Sequence, residues 1–469
     1  MRSRRGRPCP VISEEFSLIN GANRQRVQAG GVLLLLFLAN LLNFFDRTIP
    51  AIITEPLRKE YGLSDLQLGL VFTAFTLVYA VAGLPLGGLA DTGARRKVLG
   101  WGLVVWSAFT GLNALAWNYA SFFLMRLGVG VGEASYAPAA SSLISDLYPA
   151  NRRARATGIY MLGLPAGLML AFFTVGGMVS AFGSWRAPFV IAALPGMVLA
   201  LFMFRIREPA RGASEVAGVS RHPIEQPIRT LLRTRTLLWL TLSGVTLNFA
   251  SYAGNSFLVP LLQRYFGLPL VRAAVVTGFI TGVTGLVGLT LGGWVADRMH
   301  ARSERGRLLF GAVSLLAGAL GTGLALLSGR GSVPLFAMCF GLGWLGLYNF
   351  YTTVYPAIHD VVDPRLRARA VALVFAGIYV LGGALGSAVV GGLSDAFTLA
   401  AMREAGAGEV TEAFKAMGLH SAMFLVPVML LFTSLFIYLA SRTFVADARR
   451  IREELAREAE GEWGLRKAA

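Results

Sequence analysis

Charge is scarce in this chain, and so are cysteine and the spacings that make catalytic motifs. The two cysteines, Cys9 and Cys339, offer neither a disulfide framework nor a metal-ligand spacing. No Walker sequence, zinc-ligand cluster or nucleophile elbow occurs. An enzyme, an ATP-driven pump, a metal site and a cofactor are therefore not expected. The run Gly128-x-Gly130-x-Gly132 is no nucleotide loop, because it lies inside an apolar helical stretch with no strand before it. A cleavable signal is also missing: the first apolar block is too long for a signal core and reads as a retained helix. Asp, Glu, Lys and Arg together make up only 15% of the 469 residues.

Apolar sequence is what the chain has in excess. Hydrophobic residues account for 55%, and the mean hydropathy is +0.59. They fall into twelve blocks, near 30–54, 64–89, 97–117, 120–143, 155–181, 186–206, 236–261, 271–295, 307–328, 333–357, 368–393 and 418–441. Each is close to the ~20 residues that a membrane-spanning helix needs. The expected fold is an all-α membrane protein with twelve transmembrane helices. Glycines recur four residues apart, as in Gly278/Gly282, Gly288/Gly292 and Gly382/Gly386, a spacing that lets membrane helices pack closely.

A net charge of +17 would suggest nucleic acid in a soluble protein. Here most Lys and Arg lie in the two tails and in alternate loops, all on one side of the twelve blocks. That is the bias of cytoplasmic segments. It puts both termini in the cytoplasm and removes the need for a nucleic-acid partner. Membrane lipids are the implied surroundings.

The chain divides at a charged stretch, residues 208–235. A cytoplasmic tail (1–29) leads into a six-helix half (30–207); a second half (236–441) leads into a C-terminal tail (442–469). The halves echo each other. Gly87-Gly-Leu-Ala-Asp91 closes block two and Gly293-Trp-Val-Ala-Asp297 closes block eight. Asp146 with Arg153 follows block four, and Asp360 with Arg367 follows block ten. Parallel halves of this kind are one known transporter plan, with substrate bound between them. Beyond block twelve, Phe444, Ala448, Ile451 and Leu455 mark an amphipathic helix over 443–458. It is expected either along the inner membrane surface or as a solvated tail.

Four charges break the apolar pattern: Asp46 and Arg47 in block one, Arg126 and Glu133 in block four. A charge in the hydrocarbon core costs ~3 kcal/mol or more, so such residues mark a polar path. At ~1.5 Å per residue, Asp46 lies ~24 Å into its helix, Arg126 ~9 Å and Glu133 ~20 Å into theirs.

Gly87-x-x-x-Asp91 with Arg95 and Arg96, partly repeated at Gly293, Asp297 and Arg298, resembles the loop signature of the major facilitator superfamily. Arg126 with Gly130 resembles its second signature. Asn43-Phe-Phe-Asp46-Arg47, Gly130-Val-Gly-Glu133-Ala-Ser-Tyr136 and Trp185-Arg186-Ala-Pro-Phe189 are similar to the spinster-type lipid transporters and their bacterial relatives. One departure is that Thr92, Gly93 and Ala94 follow Asp91 where a basic residue is usual.

The resemblance implies two pseudo-symmetric six-helix bundles around a central cavity onto which spans one and four face. Asp46 and Glu133 are the expected proton-coupling carboxylates. The substrate wall is expected to comprise Arg47, Arg126, Asn43 and Tyr136, facing Asn248, Tyr252, Asn255, Trp344, Tyr348 and Tyr379. The gate signatures are Gly87, Asp91, Arg95, Arg96, Asp146 and Arg153, then Gly293, Asp297, Arg298, Asp360 and Arg367. A charged half facing an aromatic, uncharged half suits an amphiphilic anion. The expected function is proton-coupled secondary transport of a lipid-like anion by a monomer in a bacterial inner membrane. The competing cargo is a small water-soluble organic anion, and the competing class is a lipid receptor that does not translocate.

Overall fold

The computed structural model describes residues 10–209, 231–363 and 366–468. The first half consists of span one (Pro10–Ile52), span two (Asp65–Thr92), span three (Arg95–Asn113), span four (Tyr119–Ala134 and Tyr136–Leu147), span five (Ala150–Met161 and Gly163–Phe182) and span six (Ala187–Phe204). The second half begins with span seven (Arg235–Arg264). Span eight runs through Leu270–Gly278, a π-turn at Phe279–Val283, and Thr284–Arg302. Span nine is Gly306–Leu327 and span ten is Val333–Asp360. Span eleven runs through Arg367–Gly377, a π-turn at Ile378–Gly383, and Ala384–Glu404; span twelve is Glu412–Met423 and Leu425–Ala468.

Among the described residues, nine helices are long and apolar enough to cross a membrane unaided. Spans three, four and seven complete the twelve. Span four falls short because Arg126 and Glu133 interrupt it. The start of span two shows how an end is fixed. Ser64 accepts from the Gln67 amide while the Gln67 side chain accepts from Ser64 N–H, so two orphan donors are satisfied reciprocally. Gly62, at φ 65°, turns the chain just before it, a conformation glycine adopts without penalty.

The small-residue spacing does what membrane packing requires. A Cβ on Gly382 would lie 2.3 Å from the Val245 carbonyl oxygen, and one on Gly386 would lie 2.4 Å from that of Phe249. Spans eleven and seven therefore touch backbone to backbone. Gly69 does the same between the halves, with a Cβ 2.3 Å from the Ser387 carbonyl oxygen.

The halves are also joined by charge at the end of the bundle away from the chain's two tails. Arg264 of span seven holds Asp65 through two bonds of 2.7 Å and Glu55 through one of 2.5 Å. Arg58 holds Glu55 at 2.9 Å and reaches Glu412 at 2.6 Å. Asp395 accepts from the amides of Asp65 and Leu66 at 3.0 and 2.9 Å, so a carboxylate of one half caps a helix N-terminus of the other.

The two tails differ from expectation. Span twelve continues without a break through the supposed amphipathic segment. Phe444 and Ala448 are buried, Asp447 caps the Thr236 amide at 3.0 Å, and Arg452 pairs with Glu304 at 2.9 Å. Phe444 and Ala448 of the apolar stripe pack into this chain's own core, Ile451 is half-buried, and the side chain of Leu455 lies outside the described residues. Helix likewise begins at Pro10, within the expected N-terminal tail. Most of the expected linker, residues 210–230, lies outside the described residues.

Candidate functional site

Asp46 and Arg47 are adjacent in sequence, yet helical geometry turns successive side chains ~100° apart. They find different partners. Arg47 donates Nε to Glu133 Oε2 at 2.5 Å. Asp46 is 1% exposed and accepts from the Thr110 hydroxyl of span three at 3.2 Å. Glu133 is fully buried behind Arg47. Arg126 is 3% exposed, and its Nε and Nη1 have no hydrogen-bond partner among the described residues.

Aromatic faces hold the two guanidiniums. The Phe75 ring lies between them, 5.2 Å from Arg47 and 5.4 Å from Arg126. Tyr79 and Phe44 stack on Arg47 at 4.3 and 5.3 Å. An arginine so held keeps its donors aimed while its charge is offset by the ring quadrupoles.

Both arginines line a cavity between the halves. Its first wall is Arg47, Arg126, Phe72, Phe75 and the span-five residues Leu164, Leu168 and Phe172. Its second wall is Asn248, Ser251, Tyr252 and Asn255 of span seven, Trp344, Tyr348 and Tyr351 of span ten, and Tyr379 of span eleven. No carboxylate lines it among the described residues. Asp46 and Glu133 stand one layer behind, where their carboxylates can offset the charge of the arginines without touching a ligand. From Tyr252 a train of rings leads on: Tyr379 at 6.5 Å, then Phe375, Tyr355 and Tyr351 at 6.0, 5.5 and 5.4 Å.

Two of the expected substrate residues are elsewhere. Tyr136 is 2% exposed; its hydroxyl donates to the Leu36 carbonyl at 2.5 Å and its ring meets Trp106 edge to face. Asn43 is buried in span one and does not line the cavity. Both lie on the packed side of their helices, a distinction that motif spacing does not carry. Sequence reasoning missed Phe75, Tyr79 and Thr110. Phe72, Phe75 and Tyr79 fall on one face of span two, a stripe that was readable. A lone Thr in an apolar helix gives no signal.

At the tail-side end the expected gate residues pair within each half. Arg95 bonds Asp146, the Ser142 hydroxyl at 3.1 Å and the Pro209 carbonyl at 3.1 Å. Arg153 donates to the Ser145 carbonyl at 2.9 Å, closing the end of span four. In the second half Arg307 takes the place of Arg95, bonding Asp360 at 3.4 Å and Asp297 at 3.5 Å. Arg298 stacks on Trp294 at 4.0 Å. Arg96 is exposed, and its backbone amide donates to Glu208. Gly87 and Gly293 face Pro138 and Thr352 at ordinary contact distance. The side chains of Asp91 and Arg367 lie outside the described residues.

The profile of the Major Facilitator Superfamily matches residues 36–387. The chain is 28% identical to the hexuronate transporter of Bacillus subtilis over 71% of its length and 80% of that protein. It is 26% identical to the sphingosine-1-phosphate transporter SPNS2 of Danio rerio over 88% of its length and 84% of that protein. Its fold is similar to the crystal structure of a bacterial homologue of the human lysosomal transporter Spinster, in an inward-facing and unoccupied conformation. The TM-score is 0.80 at 28% identity, covering 90% of this chain and 98% of the other.

Proposed function

This chain belongs to the Major Facilitator Superfamily of membrane transporters, and on that footing we propose that it moves an amphiphilic, lipid-like anion by alternating access, coupled to protons. The observation that carries this reading is Arg126. Its guanidinium lies buried in the cavity wall with Nε and Nη1 lacking a partner among the described residues, and the opposite wall is aromatic and uncharged. An anionic headgroup can take the fork of the guanidinium in charge-assisted bonds. An apolar tail can lie along Trp344, Tyr348 and the ring train toward Tyr355. Likeness to the sphingosine-1-phosphate transporter SPNS2 supports the lipid cargo.

Coupling is assigned to Asp46 and Glu133. Protonating Glu133 removes the charge that holds Arg47, so one proton changes the number of free cations facing the cavity. The charges that join the halves at the end away from the tails make this the state closed on that side. With the tails cytoplasmic, the closed side is the outer one; we read the protein as a monomer in a bacterial inner membrane. Asp91 and Asp297 serve as latches at the inner gate.

The 28% identity to a hexuronate transporter supports a second reading, a water-soluble organic anion as cargo. Flux of a lysophospholipid, a sphingoid phosphate and a hexuronate into proteoliposomes decides between them. Uptake of the hexuronate alone removes the lipid assignment. Specific lipid binding without flux makes the protein a receptor.

A further inference from the structure

Span seven brings a second kind of polarity to the cavity, one that the charges do not use. Asn248, Ser251 and Asn255 recur at i, i+3 and i+7, so they share one helix face, and all three line the cavity. Tyr252 beside them is close enough to Arg47 to interact with its charge. The stripe therefore lies where the cationic wall meets the start of the ring train.

Its hydrogen-bonding capacity is largely unengaged. Asn255 Nδ2 donates to Ser251 Oγ at a long 3.3 Å, and its shielded Oδ1 accepts from nothing among the described residues. Asn248 Nδ2 reaches only its own helix, at the Gly244 carbonyl, 3.3 Å away. Ser256, one position on, contrasts with them: its hydroxyl is engaged with Ser387 at 2.8 Å. Amides can join membrane helices by bonding across them, but those of Asn248 and Asn255 bond only within their own helix among the described residues, and a shielded amide group without a partner is unfavourable. These groups are placed to bond something that enters the cavity.

We propose that Asn248, Ser251 and Asn255 form a hydroxyl-reading subsite, so that the transported anion carries a hydroxyl or amine within a few bonds of its anionic group. From Asn248 to Asn255 the stripe is ~10 Å long, the scale of a glycerol or sugar unit and shorter than an acyl tail. This rests on the reading of Arg126 and Arg47 as the anion site, and narrows it to hydroxylated or aminated anions, whether lysophosphatidate-like, sphingoid phosphates or sugar acids.

The test is equilibrium binding to the purified full chain with two matched pairs. Oleoyl lysophosphatidate, with a free glycerol hydroxyl, is compared with oleyl phosphate, which has none. Galacturonate is compared with cyclohexanecarboxylate. The hydroxylated member of the pair that binds is expected to win by about tenfold or more, because a site built to bond a hydroxyl rejects the analogue lacking it. Asn255→Leu should bring that ratio to within about twofold through loss of affinity for the hydroxylated member, and Asn255→Ser should restore part of it. Equal binding of both members by the unmutated chain overturns the subsite and leaves the anion site standing. So does an equal loss for both members in a folded Asn255→Leu protein, with Asn248→Leu as the second variant if Asn255→Leu does not fold. Binding of neither pair overturns the anion-site reading and the subsite with it.

Discussion

Arg47 is paired with Glu133, 86 residues further along the chain, at 2.5 Å, and not with its neighbour Asp46. The proposed coupling depends on this pair. Glu133→Gln keeps the shape and an acceptor oxygen but removes the charge, and so mimics protonation. It is expected to make transport in proteoliposomes insensitive to an imposed proton gradient. Asp46→Asn should act in the same direction and less strongly, because Asp46 is held by Thr110 rather than by an arginine. Wild-type gradient dependence in both variants would show that the charges only fix the packing of spans one and four.

Arg264→Gln removes the cation shared by Asp65 and Glu55 at the interface between the halves. Breaking a buried pair from one side costs ~3–5 kcal/mol, and here only the closed arrangement bears that cost. Spin labels across this end of the bundle should report a longer mean distance in the variant. An unchanged distance distribution would assign the closure to helix packing alone.

Gly254 lies against Trp344, and a Cβ there would come 2.2 Å from the ring. Gly254→Ala is expected to push the indole toward the cavity it lines. The expected result is weaker binding of long-tailed ligands than of short ones, with the fold retained. Equal affinity across a tail-length series would show that Trp344 yields in another direction.

Arg95 and Arg307 occupy equivalent corners but differ in exposure. Arg95 and its partner Asp146 are 1% and 9% exposed, whereas Arg307 is 13% exposed and its partners Asp297 and Asp360 are 79% and 41% exposed. Arg95→Gln should cost several kcal/mol, on the order of a buried pair; Arg307→Gln should cost ~0–1 kcal/mol. Thermal melts of the two variants should separate accordingly.

Outside the spans, Glu60 accepts from Arg186 at 2.6 Å and from the Trp185 indole at 2.5 Å. The Arg186 bond, reinforced by Trp185, holds its carboxyl below the usual glutamate range. A carboxyl lowered on folding adds stability above its unfolded value and loses it as pH falls through the folded one. Arg186→Gln should therefore reduce stability at neutral pH, and the difference from wild type should vanish in acid. A difference that persists in acid would assign the effect to the Arg186–Ala116 carbonyl bond instead.

Much of this protein can be read from its sequence because a bilayer leaves little choice. Backbone groups in hydrocarbon must be satisfied internally, so long apolar blocks become helices, and basic residues sort the loops. The glycine pairs, the repeated corners and the rarity of Asp46, Arg47, Arg126 and Glu133 all follow from composition along a line. The line does not say which way a side chain turns once the helix is packed. Tyr136 and Asn43 carry the same motif signal as Arg47, yet they lie against neighbouring helices.

The partnership of Arg47 with Glu133, the Phe75 ring between two guanidiniums and the closure by Arg264 each join residues distant in sequence. So does the docking of the C-terminal helix on Thr236 and Glu304. The sequence alone determined the spans, their charges and the twofold plan, because these are local consequences of hydrophobic length and of the cost of burying charge. Only the tertiary structure decided which charge meets which, and which polar groups face the cavity. Those outcomes depend on the rotation and contact of helices that the sequence keeps far apart.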